Sequence, residues 1–137
     1  MAFYPYLFFG GNCREAFTRY QQIFGGELVV LTAKDMGSEA ANVPDDKADM
    51  IMHAALKFGD QLLMGSDDPT AENFSVQGMM VNYSVESEDE AERVFAALSD
   101  GGTVNLPIGP TSWSPKFGMC NDRFGTPWMI SADPAPQ

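Results

Sequence analysis

His53 is the only histidine in this chain of 137 residues, and imidazole is the side chain best suited to exchange a proton near neutrality. It could hydrogen-bond a ligand or act as a general base. A half-buried imidazole bonded to a backbone group would fit the same position without any chemistry. Gly65-Ser66-Asp67 lies near enough in sequence to supply a nucleophile and an orienting carboxylate. No nucleophile-elbow pattern surrounds Ser66, however, and Gly-Ser-Asp is also ordinary turn sequence. Asp67-Asp68 could contact a ligand at a pocket rim or simply face solvent. Trp113, Phe117 and Trp128 could stack on a flat or cationic ligand, with Tyr6, Phe8 and Phe9 as further walls; packing would use the same residues. Cys13 opens a helical segment, a position that can lower a thiol pKa. Cys13 and Cys120 are the only cysteines, too few for a disulfide framework or a cysteine-rich zinc site. A single histidine excludes a metal site built on two imidazoles from one chain.

Charge narrows the partners. Nineteen acidic against eight basic side chains leave −11 at pH 7. That surface repels nucleic-acid phosphates and anionic membranes, and it attracts cations. No apolar run approaches the roughly 20 residues of a membrane span. Met1-Ala2-Phe3-Tyr4-Pro5 has no basic leader region, so the expected location is the cytoplasm. A small-molecule partner remains.

The elements that must position these residues occur twice. Asn12-Cys13-Arg14-Glu15-Ala16 and Ser87-Glu88-Asp89-Glu90-Ala91 each open with a capping residue followed by Glu three places later. Apolar residues then recur at helical spacing: Ala16, Phe17, Tyr20, Ile23 and Phe24 in one, Ala91, Val94, Phe95 and Leu98 in the other. Gly25-Gly26 and Gly101-Gly102 stop them. Phe58 to Asp67 also parallels Phe124 to Asp133, at an offset of 66 against 75 for the helices. The polar segment 35–47 accounts for the difference as an insertion in the first half.

Each half therefore predicts β-α-β-β-β. The first has strands at 4–9, 27–33, 49–56 and 61–66 and a helix over 13–24. A polar linker at 67–77 follows. The second has strands at 79–85, 103–107, 117–121 and 128–132. Leu56-Lys57-Phe58-Gly59-Asp60 predicts a three-residue hairpin loop matched by Asp122-Arg123-Phe124-Gly125-Thr126. That loop pairs Leu56 with Asp60, and puts His53 on one face with Leu63 and Met119 on one face with Met129. A two-residue loop at Gly59-Asp60 would turn His53 to the other face.

A paired β-α-β-β-β repeat of this length resembles the vicinal oxygen chelate superfamily of glyoxalases, bleomycin-resistance proteins and dioxygenases. Several motifs are similar to its PhnB-like branch. They are Pro5-Tyr6-Leu7-Phe8-Phe9, Gly11-Asn12-Cys13-Arg14-Glu15-Ala16, Met52-His53-Ala54, Met64-Gly65-Ser66-Asp67, Trp113 with Phe117-Gly118, and Asp122-Arg123-Phe124-Gly125-Thr126-Pro127-Trp128. That branch is also labelled demethylubiquinone-methyltransferase-like, although nothing in the chain looks like an adenosylmethionine site. The resemblance implies an α+β fold in a single glyoxalase-like domain, residues 1–137. Two tandem modules, about 1–68 and 78–134, would form a cup-shaped mixed sheet around a central pocket. By family habit it implies a homodimer.

Metal-using members place ligands on the first and fourth strands of each module. Aligned to that pattern, the four positions fall at Pro5, Leu63, Met80 and Met129, none with the nitrogen or oxygen that a catalytic divalent ion takes. The expectation is a pocket without metal or other cofactor. His53 is its candidate catalytic residue, and Phe9, Leu63, Asp67, Met80, Trp113, Phe117, Trp128 and Met129 are its ligand-binding candidates. Three functions follow. One is metal-independent small-molecule binding, which is the reading adopted. The second is isomerase or lyase chemistry with His53 as acid and base. The third is antibiotic sequestration, as in bleomycin-binding relatives.

Overall fold

The computed structural model describes residues 1–37, 43, 45–70 and 76–133. The proposed insertion and linker fall partly outside them. The chain divides into two compact units, Met1–Phe74 and Ser75–Gln137.

Unit 1 contains β1 (Tyr6–Phe9), α1 (Cys13–Phe24), β2 (Glu27–Thr32), α2 (Ala33–Met36), β3 (Ile51–Phe58) and β4 (Gln61–Asp67). Its sheet runs β1-β4-β3-β2, with β1 parallel to β4 and the other pairs antiparallel. Unit 2 contains β5 (Val81–Val85), α3 (Glu88–Ser99), β6 (Thr103–Gly109), β7 (Lys116–Asn121) and β8 (Pro127–Ala132). Its sheet, β5-β8-β7-β6, has the same topology. The fold is thus α+β, with two repeated modules each built on a four-stranded mixed sheet.

In each unit the long helix packs on one face of its sheet. Ala16, Phe17, Tyr20 and Ile23 are buried on α1, and Ala91, Val94, Phe95 and Leu98 on α3, as the periodicity predicts; Cys13 is buried on α1 as well. Phe24 is only half-buried and stacks on Phe58 at 5.9 Å. A Cβ on Gly65 would collide with the Phe17 ring, and one on Gly118 with Phe95. Those two glycines therefore mark the helix-side face of β4 and β7. The second glycine of each helix-stopping pair has a related purpose. A Cβ on Gly26 would strike the Lys57 carbonyl, and one on Gly102 the Asn121 carbonyl.

The capping residues differ from expectation. Ser87 Oγ accepts from Glu90 N at 3.2 Å. Asn12 makes no side-chain cap. Instead Asp67, at the end of β4, takes the first amide of α1. Its Oδ1 accepts from Cys13 N at 3.0 Å and Gly11 N at 2.9 Å, and its Oδ2 from Ile51 N at 3.0 Å. A full capping box occurs at α2, where Thr32 and Asp35 bond each other's backbone amides. The strand predicted over 27–33 therefore ends at Thr32, where the capping box turns the chain into α2.

The hairpins decide the register. In unit 2 Asp122 N bonds Thr126 O and Gly125 N bonds Asp122 O, which is the three-residue loop predicted. In unit 1 Phe58 pairs with Gln61, leaving a two-residue loop. Gly59 has φ +63° and no described non-glycine residue, Asp60 included, has positive φ, the pattern of a type II′ turn. Leu56 consequently pairs with Leu63 rather than Asp60. The predicted partnership of His53 with Leu63 is corrected: they lie on opposite faces. Met119 pairs with Met129 as expected.

The repeat offset shifts with it. Asp68 N bonds Phe9 O, and Asp133 N bonds Val85 O, so the fourth strands match at 65 residues rather than 66. Leu63 then corresponds to Trp128, both buried, and Met64 corresponds to Met129.

Candidate functional site: the open face of the first sheet

The face of the unit 1 sheet turned away from α1 gathers side chains from all four strands. β3 contributes His53, Ala55 and Lys57, and β2 contributes Glu27, Val29 and Leu31 in register with them. β4 contributes Leu62, Met64 and Ser66, and β1 contributes Tyr6 and Phe8, paired with Met64 and Ser66. Strand alternation makes this the open side, because Ala54, Leu56, Leu63 and Gly65 point into the core with Phe17. Tyr6, Phe8, Val29 and Leu31 remain 39%, 53%, 56% and 40% exposed. These four large apolar side chains lie on the two edge strands, β1 and β2, and flank the partly covered residues of β4 and β3 between them.

The polar centre of this face is a pair. Tyr6 Oη lies 3.2 Å from Nδ1 of His53, with ring centroids 5.9 Å apart. Tyr6 also packs against Phe8 at 5.3 Å. When the phenol donates to Nδ1, neutral His53 carries its proton on Nε2, and that nitrogen becomes a donor toward the face.

The other expected site residues occupy varied places. Phe9, Leu63 and Trp128 are core residues, 2%, 4% and 2% exposed. Phe9 sits edge-on to Phe17, and Trp128 Nε1 donates to Asp122 Oδ2 at 2.9 Å. Asp67 is 3% exposed and spends both oxygens on backbone amides. Phe117, Met119, Met129 and Ser131 share the face of the unit 2 sheet opposite α3. Trp113 is 61% exposed and meets Phe117 edge-on at 5.4 Å. Met80 is half-buried, just before β5. Sequence reasoning missed Val29, Leu31, Ala55, Leu62 and Met64. Gly59-Asp60 read as a two-residue hairpin finds Leu62 and Met64, strand alternation from His53 finds Ala55, and the β2–β3 register finds Val29 and Leu31.

Nucleophilic chemistry finds no support in the thiols. Burial, with the nearby Asp67 charge as the next cause, pushes the Cys13 thiol up to about 12. Burial and then Asp122 push Cys120 up to about 11. Desolvation and the Asp67 charge thus outweigh the lowering effect of Arg14 at Cys13.

The donor set also fails to fit the divalent ion used by metal-dependent relatives. On the first and fourth strands the open-face side chains are Tyr6, Phe8, Leu62, Met64 and Ser66 in unit 1. In unit 2 they are Asn82, Ser84, Met129 and Ser131. These offer hydroxyl, amide and thioether groups, with no imidazole or carboxylate. Among the described residues no three His, Cys, Asp or Glu side chains gather as a metal-binding group. No described helix is long and apolar enough to cross a membrane.

Known proteins share this architecture. The chain is 31% identical to Protein YjdN of Escherichia coli (strain K12), over 93% of this chain and 92% of that one. The crystal structure of protein PA1353 from Pseudomonas aeruginosa is 44% identical with a TM-score of 0.88, covering 97% and 98% of the two chains. A putative 3-demethylubiquinone-9 3-methyltransferase, PhnB protein, from Bacillus cereus is 26% identical with a TM-score of 0.78, covering 96% and 99%. A glyoxalase/bleomycin resistance/dioxygenase family enzyme from Burkholderia phytofirmans PsJN, 14% identical over 96% of this chain and 97% of that one, shares the fold at a TM-score of 0.65. With residues 1–131 matched by the model of the family described as 3-demethylubiquinone-9 3-methyltransferase, the chain belongs to that family, on a fold shared with the glyoxalase/bleomycin resistance/dioxygenase enzyme.

Proposed function

We propose that this protein binds a small, mostly apolar molecule on the open face of unit 1 without a metal ion, with His53 as the polar contact. The observation that carries the reading is the Tyr6–His53 hydrogen bond set among exposed Phe8, Val29 and Leu31. Apolar walls with a few placed polar groups are the usual composition of a ligand site. His53 acting as acid and base in isomerase or lyase chemistry would use the same residues. Its recorded partner is a phenol, which orients the ring but stabilises an imidazolium less than a carboxylate would; this favours binding over turnover. Sequestration of a cationic drug is less supported, because Glu27, the acid on this face, stands across from Lys57. The proposal keeps the cytoplasm as compartment and, on the resemblance, a homodimer as assembly.

The test is a fragment screen of small aromatic and aliphatic compounds by thermal shift and by NMR of the His53 ring. Hits should move the His53 signals and lose affinity in His53→Ala while that variant keeps its fold. Failure of every fragment to perturb His53 would sink the reading. Conversion of a hit into product, lost in His53→Ala, would put the acid–base function ahead.

A further inference from the structure

The two units carry equivalent sheets, so each open-face position in unit 1 has a mate in unit 2. Matching the hydrogen-bond registers gives these mates directly. Met64 pairs with Ala55 and with Tyr6, and Met129 pairs with Met119 and with Asn82. Ala55 therefore corresponds to Met119 and Tyr6 to Asn82. One step along, His53 corresponds to Phe117, which faces Ser131. The repeat has kept the backbone and changed the chemistry of one face.

Ala55 is the informative difference. It lies at the middle of the unit 1 face, between Val29 on β2 and Met64 on β4, with His53 and Lys57 two residues away along β3. Cross-strand Cβ atoms lie about 5 Å apart, so larger neighbours surround a methyl group. By side-chain size alone this leaves space above the Ala55 methyl, which is only partly covered. In unit 2 the same position holds a methionine long enough to fill it, and the place of the imidazole is taken by a phenyl ring.

We infer that ligand binding belongs to unit 1 alone, that Ala55 is the residue that admits the ligand, and that the ligand is a neutral, flat molecule carrying a carbonyl-type acceptor. This inference rests on the binding reading above. The apolar body lies over Ala55 between Val29 and Met64, and the acceptor takes the proton of His53 Nε2. Neutrality follows from charge: an anion meets a chain of net −11, and the acidic side chain of this face, Glu27, already has Lys57 opposite. An acceptor follows from taking the phenol as donor to Nδ1, an assignment that leaves Nε2 as the donor toward the face.

The test uses the whole chain with methyl-13C methionine and acetophenone as the probe. Acetophenone should move the Met64 methyl and His53 ring signals and leave Met119 and Met129 in place. Ala55→Met, which copies the repeat mate, should raise Kd at least tenfold with little change in Tm. His53→Ala should raise it about tenfold, the size of one lost hydrogen bond. Ethylbenzene, which lacks the oxygen, should bind several-fold more weakly. If Ala55→Met fails to fold, Ala55→Val, whose β-branch suits a strand, should still weaken binding about threefold or more. Wild-type affinity in a folded Ala55 variant, or equal shifts at Met64 and Met129, overturns this inference and leaves the binding reading standing. Other fragments moving His53 while acetophenone does not overturns the ligand class alone. No compound moving His53 overturns both.

Discussion

Tyr6 and His53 are hydrogen-bonded at 3.2 Å although their strands are not neighbours: β4 runs between β1 and β3. The phenol reaches across the Met64–Ser66 stretch to hold the imidazole. The bond should fix the neutral ring as the Nε2–H tautomer. Long-range 1H–15N NMR should show a protonated Nε2 in the wild type and a mixture of tautomers in Tyr6→Phe. An Nδ1–H ring in the wild type would reverse the donor assignment.

Asp67 should prove structural. Its carboxylate accepts three backbone amides, from the β1–α1 loop, the start of α1 and the start of β3. Removing it leaves Cys13 N and Ile51 N buried without that acceptor. Bonds to a charged group contribute about 1.5–3 kcal/mol, so Asp67→Ala should cost about 3 kcal/mol. Urea unfolding would measure this. A midpoint unchanged from wild type would return Asp67 to the list of ligand contacts.

The buried thiols predict an alkaline limit to stability. Both folded values, about 12 for Cys13 and about 11 for Cys120, lie above the ordinary 9.0. A raised pKa stabilises the fold fully below the unfolded value. That contribution is lost as pH rises, from 9 toward 12 for Cys13 and from 9 toward 11 for Cys120, because the unfolded chain ionises first. At pH 10 each thiol should have lost on the order of 1 kcal/mol. Thermal unfolding between pH 8 and 10.5 should therefore fall more steeply in the wild type than in Cys13→Ala/Cys120→Ala. Parallel curves would show that the thiols do not set the limit.

Added Zn²⁺, Ni²⁺, Mn²⁺ or Fe²⁺ should leave the melting temperature of chelator-treated protein unchanged. An ion bound by the native state must stabilise it, and the hydroxyl, amide and thioether groups on the first and fourth strands make a poor site. A saturable rise in melting temperature with one ion per chain would mean that other residues supply the ligands.

Local rules in the sequence determined the repeat, the order of elements, the buried stripes of α1 and α3, and the hairpin at Asp122–Thr126. Each depends on residues close along the chain: apolar spacing, glycine stops and turn chemistry. The resemblance carried by the motifs around His53 and Trp128 led to the right family. The loop at Gly59 was decided otherwise. Phe58-Gly59-Asp60-Gln61 is compatible with two hairpin lengths, and the choice depends on which face of β3 and β4 packs under α1. Phe17 occupies the space where a Cβ on Gly65 would stand, so Gly65, Leu63 and Leu56 turn inward and His53 turns outward. Asp67 is the same case: nothing in Gly-Ser-Asp-Asp announces that its carboxylate will meet amides some 16 to 56 residues away. A strand's side chains alternate with period two, so a single residue in one turn, settled by packing across the sheet, reassigns every side chain between core and open face.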